Sequence, residues 1–266
     1  MLVSIIVPAY KQEKTIKKDI ERICSVMNDT RFDYEVIVVV DGFLDNTFAE
    51  AEKIKNMEVK VIGYEKNRGK GYAVRYGMAR ALGDPIAFID AGMEIDPNGI
   101  SMILEQMLWR DADIVVASKR HPDSKVNYSL ARRIYSWGYY SLIRLLFRLK
   151  VTDTQTGLKV YKRKVLDVVL PRLVVKQYAF DIELLAVAKY LGHNKIYDAP
   201  VNLTLDLKSG SVLNKKFFRF FRAVVYDTLA VFYRMYLLRY YHPNNQQKWV
   251  YDKELDMHIN TDQIGN

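Results

Sequence analysis

The chain has 266 residues, 50% of them hydrophobic, a formal net charge of +9 and one cysteine. That length and apolar content suit one large α/β domain with an appendage and exclude a disordered chain, while the lone Cys24 excludes an internal disulfide or a multi-cysteine metal site and favours a reducing compartment. The positive surplus calls for an anionic partner: nucleic acid, a phosphorylated substrate or an anionic membrane face.

In chain order, Met1-Leu2-Val3-Ser4-Ile5 enters a strand directly, without a signal-peptide pattern, so a cytoplasmic location is expected. The β-branched run 3–7 is stopped by Pro8, and residues 13–27 carry Ile16, Ile20, Ile23 and Met27 at helical spacing. Residues 34–40 read as a second strand closed by Asp41-Gly42, and 45–54 as a second helix with its acidic residues early. A third strand at 59–64, a glycine-broken loop at 67–71 and a third helix at 72–82 follow. The apolar run 86–89 then reads as a buried strand with an acidic cluster, Asp90, Glu94 and Asp96, just past its end. Strands alternating with helices at this spacing predict a mostly parallel sheet with helices on both faces.

Further on come a helix at about 97–109, a strand at 113–117, a polar loop at 119–128 and a helix at 130–149. After a polar, glycine-containing stretch at 152–159, residues 180–191 form an amphipathic helix ended by Gly192 and Asn194, and 195–205 alternates as an edge strand does. With no fixed-period repeat, low-complexity tract or clear linker, a catalytic-type domain is expected over 1–210 and an amphipathic tail over 211–266.

The loops at the strand ends carry the chemistry. Pro8-Ala9-Tyr10, Asp41-Gly42, Arg68-Gly69-Lys70 and Asp90 follow successive strands, so a parallel sheet gathers them on one rim. An aromatic ring, a carboxylate that accepts from a base N–H, a lysine for phosphate and a metal carboxylate are the parts a nucleotide diphosphate requires. Each residue alone has a plainer reading: Tyr10 as packing, Asp41-Gly42 as a turn, Lys70 as a solvated charge, Asp96-Pro97 as a helix cap. Their convergence favours a ligand. Two other phosphate motifs are missing, since Arg68-Gly69-Lys70-Gly71 lacks the hydroxyl residue a P-loop has after its lysine, and no G-x-G-x-x-G follows the first strand.

Six segments together carry a resemblance: Ser4-Ile5-Ile6-Val7-Pro8-Ala9-Tyr10, Val38-Val39-Val40-Asp41-Gly42, Asn67-Arg68-Gly69-Lys70-Gly71, Asp90-Ala91, Asp153-Thr154-Gln155-Thr156-Gly157-Leu158-Lys159 and Ala179-Phe180-Asp181-Ile182-Glu183-Leu184-Leu185. On these the chain resembles the family 2 glycosyltransferases of GT-A (Rossmann-like) fold, and within them the polyprenyl-phosphate, or dolichyl-phosphate, glucosyl- and mannosyltransferases. The first three segments are common across the superfamily, and the last two are more specific to the polyprenyl-phosphate group.

The resemblance implies that Pro8, Ala9, Tyr10, Gln12, Val39 and Asp41 hold the nucleoside, with Lys70, Asp90 and Ala91 toward the diphosphate. Asp90 and Glu94 become the ligands of Mg²⁺ or Mn²⁺, because Gly92 stands where relatives commonly carry a second aspartate. Val40 and Lys11-Gln12 also depart from the aspartate and the asparagine-glutamate usual there. Lys119, Arg120, Arg132 and Arg133 fall where relatives contact the lipid phosphate, and Asp153 and Gln155 would act with Asp90 in catalysis, orienting the donor sugar. The implied reaction is inverting transfer of a hexose from UDP-glucose or GDP-mannose to a polyprenyl phosphate, with the Ala179-Phe180-Asp181-Ile182-Glu183 segment closer to the glucosyl type. A phosphate acceptor is already ionised near neutral pH and attacks without a strong general base. Other readings are transfer to a hydroxyl acceptor, for which Asp153 would be the base, and a sugar-nucleotide-binding homologue weakly active because of Gly92.

From 214 to 241 aromatics alternate with cations. Lys215, Lys216, Arg219, Arg222, Asp227 and Arg234 gather within roughly 140° of helical arc and leave a broad apolar face bearing Phe217, Phe218, Phe221 and Phe232. That is the pattern of an interfacial helix on an anionic membrane, and it implies peripheral attachment to the inner face of the cell membrane. Asp227 and Arg234 interrupt any run of about 20 apolar residues, which excludes a spanning helix here. The same helix would alternatively pack on its own domain or pair two copies into a homo-oligomer. Nucleic acid is not an expected partner, since no recognised nucleic-acid fold accompanies the pattern.

Overall fold

The computed structural model describes residues 1–124, 130–177, 179–203, 215–245 and 249–260, with the side chains of 130–135 and 215–220 outside the described set. Its first half repeats one unit: β1 (Leu2–Ala9), α1 (Ile16–Asn28), β2 (Asp33–Asp41), α2 (Thr47–Glu52), β3 (Val59–Tyr64), α3 (Lys70–Met78) and β4 (Ile86–Ile89). The second half continues through α4 (Asn98–Arg110), β5 (Ile114–Ser118), α5 (Leu130–Phe147), β6 (Leu158–Tyr161), α6 (Arg163–Val169), α7 (Phe180–Tyr190) and β7 (Ile196–Pro200). These strands form one seven-stranded sheet in the order β3-β2-β1-β4-β6-β5-β7. Every pairing is parallel except those of β6, which runs antiparallel to both β4 and β5.

The period-2 alternation of the strands divides the core in two. On β2, Val36, Val38 and Val40 face a cluster completed by Ile20 and Ile23 of α1 and Ile103 of α4. Ile37 and Val39 face the other way, toward Ala73 and Val74 of α3 and Leu184 of α7. Helices therefore cover both faces, as the spacing of the first half predicts.

The strand β6 stands inside the stretch 152–159 and beyond it, where the sequence reads as a polar loop. It has four residues, one of them Lys159, and all four are buried, so no alternation marks it. The tail differs from a single helix over 214–241. An α-helix, α8 (Lys215–Phe232), passes into a π-helical segment, Tyr233–Leu237, and a two-stranded hairpin follows, β8 (Trp249–Asp252) with β9 (Met257–Asn260). The broad apolar face of this segment is in part a packing face: Val224, Val231 and Met235 are buried, as are Tyr240, Tyr241 and Leu255 beyond it. Val231, Met235, Tyr241 and Leu255 belong to the same core cluster as α3 and α7, and burying a side chain of this size contributes about 1.5–3 kcal/mol. The expected boundary at 210 falls in 204–214, outside the described residues. Among the described residues no helix is long and apolar enough to cross a membrane.

Candidate active site

The carboxyl ends of β1, β2 and β4 open into a cleft of about 390 Å³. Eight residues expected from sequence line it: Pro8, Ala9, Tyr10, Gln12, Asp41, Lys70, Asp90 and Ala91. Val39 does not. Its side chain is wholly buried on the α3 face of the sheet, because it alternates with Val40 and so points into the core. Asn67, Gly69, Ala73 and Gln177 complete the lining.

Loop chemistry fixes this rim. Tyr10 stays half exposed at the end of β1, and the turn after it is tied to α2 by the Gln12 N–H, which donates to Thr47 Oγ1 at 2.7 Å. Asp41, only 3% exposed, gathers the next loop by accepting from Asn67 Nδ2 at 2.7 Å, Arg68 N at 2.7 Å, Gly69 N at 3.0 Å and the Tyr64 hydroxyl at 2.9 Å. Burial and this carboxylate push the Tyr64 phenol far above its ordinary range. Gly69 has φ +98°, and a Cβ there would lie 2.6 Å from the Lys176 carbonyl oxygen and 2.7 Å from the Gln177 amide. Only glycine lets the loop before α7 close against the loop before α3.

A chain of alternating charges forms the floor. Lys70 Nζ is 2.7 Å from Asp90 Oδ2 and 3.8 Å from Asp181 Oδ2, and Lys159 Nζ is 2.6 Å from Asp181 Oδ1. The Phe88 ring lies beneath both ammoniums, at 5.4 and 5.0 Å. Burial opposes the charge on both lysines, yet the two carboxylates beside Lys70 raise its pKa, whereas burial depresses Lys159, which also faces Lys70. Gly157 makes room for this arrangement, since a Cβ there would stand 2.2 Å from Asp90 Oδ2. Asp90 Oδ1 is buried with no hydrogen-bond partner.

Glu94, four residues on, accepts from Lys119 Nζ at 2.9 Å. Between the two acids Gly92 adopts φ +90°, its N–H donating to Asp19 Oδ2 at 2.9 Å. Among the described residues no three His, Cys, Asp or Glu side chains gather as a metal cluster. The hard oxygens of Asp90 and Glu94, one of them buried and unpartnered, nevertheless fit Mg²⁺ or Mn²⁺ where a diphosphate and water complete the shell.

A smaller cavity of about 60 Å³ is lined by Arg120, Ser136, Tyr140, Asp153 and Gln155 among others. Arg120 lies over the Tyr140 ring at 5.1 Å and donates to Ser136 Oγ at 2.6 Å through Nη2. The Asp153 carboxylate accepts from the backbone N–H of Gln155 at 3.1 Å and of Lys119 at 3.3 Å, while Gln155 Nε2 is buried without a partner. Lys119 thus links Asp153 of this cavity to Glu94, its amide on the one and its ammonium on the other. The side chains of Arg132 and Arg133 lie outside the described residues.

Ser136, Gln177, Lys159 and Asp181 take part in the two cavities and their floor without a role expected from the sequence. The last two lie inside the quoted motifs, where a lysine and an aspartate embedded in apolar runs were the available signal. Gln177 carries no local signal; only its approach to Gly69 places it in the cleft. The tail also reaches the site. Glu183 of α7 accepts from Val174 N at 3.0 Å, Val175 N at 2.8 Å and the Tyr241 hydroxyl at 2.5 Å, and so links the loop leading to Gln177 with the tail. Glu254, in the hairpin turn, meets the Arg68 guanidinium at 2.5 Å and accepts from Arg80 through its carbonyl oxygen at 2.5 Å.

Comparison with known proteins finds that residues 4–170 match the profile of the family described as "Glycosyl transferase family 2". The dolichyl-phosphate beta-glucosyltransferase of Drosophila melanogaster is 34% identical over 204 residues, covering 71% of this chain and 63% of that protein. That of Homo sapiens is 31% identical over 208 residues, covering 70% and 63%. The chain thus spans less than two thirds of the length of these curated relatives. Among solved structures, glucosyl-3-phosphoglycerate synthase from Mycobacterium tuberculosis, crystallised with Mn²⁺, UDP-glucose and phosphoglyceric acid, superposes with a TM-score of 0.67 at 20% identity, covering 87% of this chain and 79% of that one. Mannosyl-3-phosphoglycerate synthase from Rubrobacter xylanophilus gives a TM-score of 0.69 at 18% identity, covering 90% and 75%. These two likenesses establish the GT-A fold.

Proposed function

The chain belongs to glycosyl transferase family 2, and from that premise we propose that it transfers glucose from UDP-glucose to a polyprenyl phosphate, with inversion, at the cytoplasmic face of a membrane. The observation that carries this reading is a pair of unlike cavities, one rimmed by Tyr10, Asp41 and Lys70 and the other by Arg120 and Ser136, linked by the segment that runs from Asp153 and Gln155 of the second to Gly157, whose carbonyl oxygen accepts from the N–H of Asp90 in the first at 2.9 Å. The likeness to dolichyl-phosphate beta-glucosyltransferases supports glucose and a lipid phosphate.

In this reading the uridine lies along Pro8–Tyr10 and the loop that Asp41 organises, and the diphosphate lies toward Lys70. An acceptor phosphate oxygen held by Arg120 and Ser136 forms the new bond to the anomeric carbon. The bond from that carbon to the diphosphate breaks on the opposite side, and its electron pair leaves with UDP. Mg²⁺ or Mn²⁺ bound through Asp90 and Glu94 would supply electrostatic stabilisation of the leaving diphosphate. Lys70 contributes a further positive charge on the same side. Asp153, its carboxylate occupied by two backbone amides, orients the sugar pocket and does not serve as a base. The buried Gln155 Nε2 has no protein partner and is a donor available to a sugar hydroxyl.

The acceptor requires the protein to meet a membrane. Residues Tyr226, Leu229, Tyr233 and Leu237 form a second stripe on the tail, 46–73% exposed, distinct from the buried Val224, Val231 and Met235. We place this stripe at the membrane interface. Leu237→Glu combined with Tyr233→Glu should release the protein from anionic vesicles in co-sedimentation while its thermal melt is retained. Unchanged binding, or dimerisation of the wild type lost in the variant, would assign the stripe to protein contact. For the reaction itself, purified protein is offered UDP-glucose or GDP-mannose with a short polyprenyl phosphate. Transfer from UDP-glucose dependent on Arg120 is expected, and transfer only to hydroxyl acceptors would overturn the proposal.

A further inference from the structure

Both carboxylates expected to hold a cation already have a cation of the protein's own. Lys70 Nζ lies 2.7 Å from Asp90 Oδ2, and Lys119 Nζ lies 2.9 Å from Glu94 Oε1. Two ammoniums carry the same total charge as one divalent ion. Gly92 adds no carboxylate between the two acids, so a divalent ion meeting the protein alone finds two ligands, both neutralised, and two positive charges beside it. Lys70 has somewhere to go. Asp181 Oδ2 stands 3.8 Å from its ammonium, with Lys159 holding the far oxygen of the same carboxylate at 2.6 Å.

We infer that Lys70 and Lys119 are internal counter-ions of Asp90 and Glu94 while the cleft is empty, and that a divalent cation binds tightly only together with a nucleotide diphosphate, whose charge draws the two lysines away. The lysines thereby make donor and cation binding interdependent. That coupling is reciprocal, so the cation strengthens nucleotide binding by the factor by which the nucleotide strengthens cation binding. The inference rests on the proposed uridine donor for its nucleotide arm and is independent of it otherwise.

The test is a Mn²⁺ titration of the full chain, read from the paramagnetic resonance signal of free Mn²⁺ and by calorimetry, with and without UDP. The wild type should bind Mn²⁺ at least about tenfold more tightly with UDP present. Without UDP, Lys119→Met and Lys70→Met should each tighten Mn²⁺ binding by about tenfold, and Lys70→Met alone should also weaken UDP. Lys119→Arg, which keeps the charge, should return to the wild-type value, and Lys60→Met, an exposed lysine on the edge strand β3, is the control for general charge. Equal Mn²⁺ affinity in wild type and Lys119→Met without UDP overturns the inference, as does tightening by Lys60→Met of the same size. If UDP fails to bind the wild type, the donor reading is wrong, while the UDP-free titrations still decide the role of the lysines. Should Lys70→Met lose its circular-dichroism signal, Lys119→Met decides alone.

Discussion

Helix α7 opens with two buried carboxylates that the protein satisfies in opposite ways. Asp181 turns to the cleft and is neutralised by charge, with Lys159 at 2.6 Å and Lys70 at 3.8 Å. Glu183 turns to the tail and is satisfied chiefly by neutral donors, two backbone amides and the Tyr241 hydroxyl, with the Arg234 guanidinium only at 4.0 Å. Residues two apart on a helix lie about 200° apart around its axis, so one turn of helix serves both sides. The difference separates a carboxylate that tunes chemistry from one that fixes architecture.

Removing the cation on the cleft side should break this comparison most visibly. Lys159→Met leaves Asp181 buried with Lys70 as its remaining ammonium, at 3.8 Å, and is expected to cost about 3–5 kcal/mol in urea unfolding. A loss under about 1 kcal/mol would mean that Lys70 moves in to compensate. Asp90→Asn, at the open end of the same charge chain, should lower turnover by about 10²–10³-fold with an unchanged unfolding midpoint, because Asp90 is only partly buried. Near-wild-type turnover at limiting metal would remove Asp90 from the catalytic set.

On the tail side the effects are smaller and carry a pH signature. Burial raises the Glu183 pKa above its ordinary 4.5, against the lowering influence of Tyr241 and the two amides. The folded state then holds the proton more tightly than the unfolded chain, so this group makes stability fall as pH rises from 4.5 through its raised pKa. Glu183→Gln should cost about 1–3 kcal/mol at low pH through a mismatched acceptor, and lose that downward slope. Parallel stability curves for variant and wild type between pH 5 and 8 would refute the assignment. The smallest change concerns Gly92. A Cβ there meets only Gln12 Nε2 at 3.7 Å, so Gly92→Asp has room and pays in conformation alone, about 1–2 kcal/mol for φ +90°. A variant as stable as wild type would show that the loop had rearranged.

The cleft side was readable from sequence where strands are continuous apolar runs. Strands β1, β2 and β4 are marked in this way by their runs of Val, Ile and Phe, and parallel topology alone brings the polar residues directly after them to the rim. Strand β6 was hidden because its four residues include Lys159, whose charge reads as solvent exposure until Asp181, 22 residues away, is seen beside it. Val39 shows the opposite failure: a motif suggested a nucleotide contact, but the strand's alternation directs the side chain into the core. Gln177 and Ser136 depend on how close two loops or a loop and a helix come, which no local pattern encodes. The tail's charge pattern revealed an amphipathic helix and concealed that it has two apolar stripes, one for the core and one exposed.

The hairpin turn at Glu254 also sets an order on synthesis. Its contact with Arg80 closes 174 residues of chain, and the Arg68 pair fastens the loop whose neighbours, Asn67 and Gly69, line the cleft. At a ribosomal rate of about 5–20 residues per second, the glycine loop is made many seconds before the turn that grips it. Until then the Arg68 side chain lacks its acidic partner and Glu183 lacks the Tyr241 hydroxyl. The nascent sheet can form early, but its donor pocket gains its final fastening only when β8 and β9 emerge, so the site is completed by a segment made long after the loop it grips.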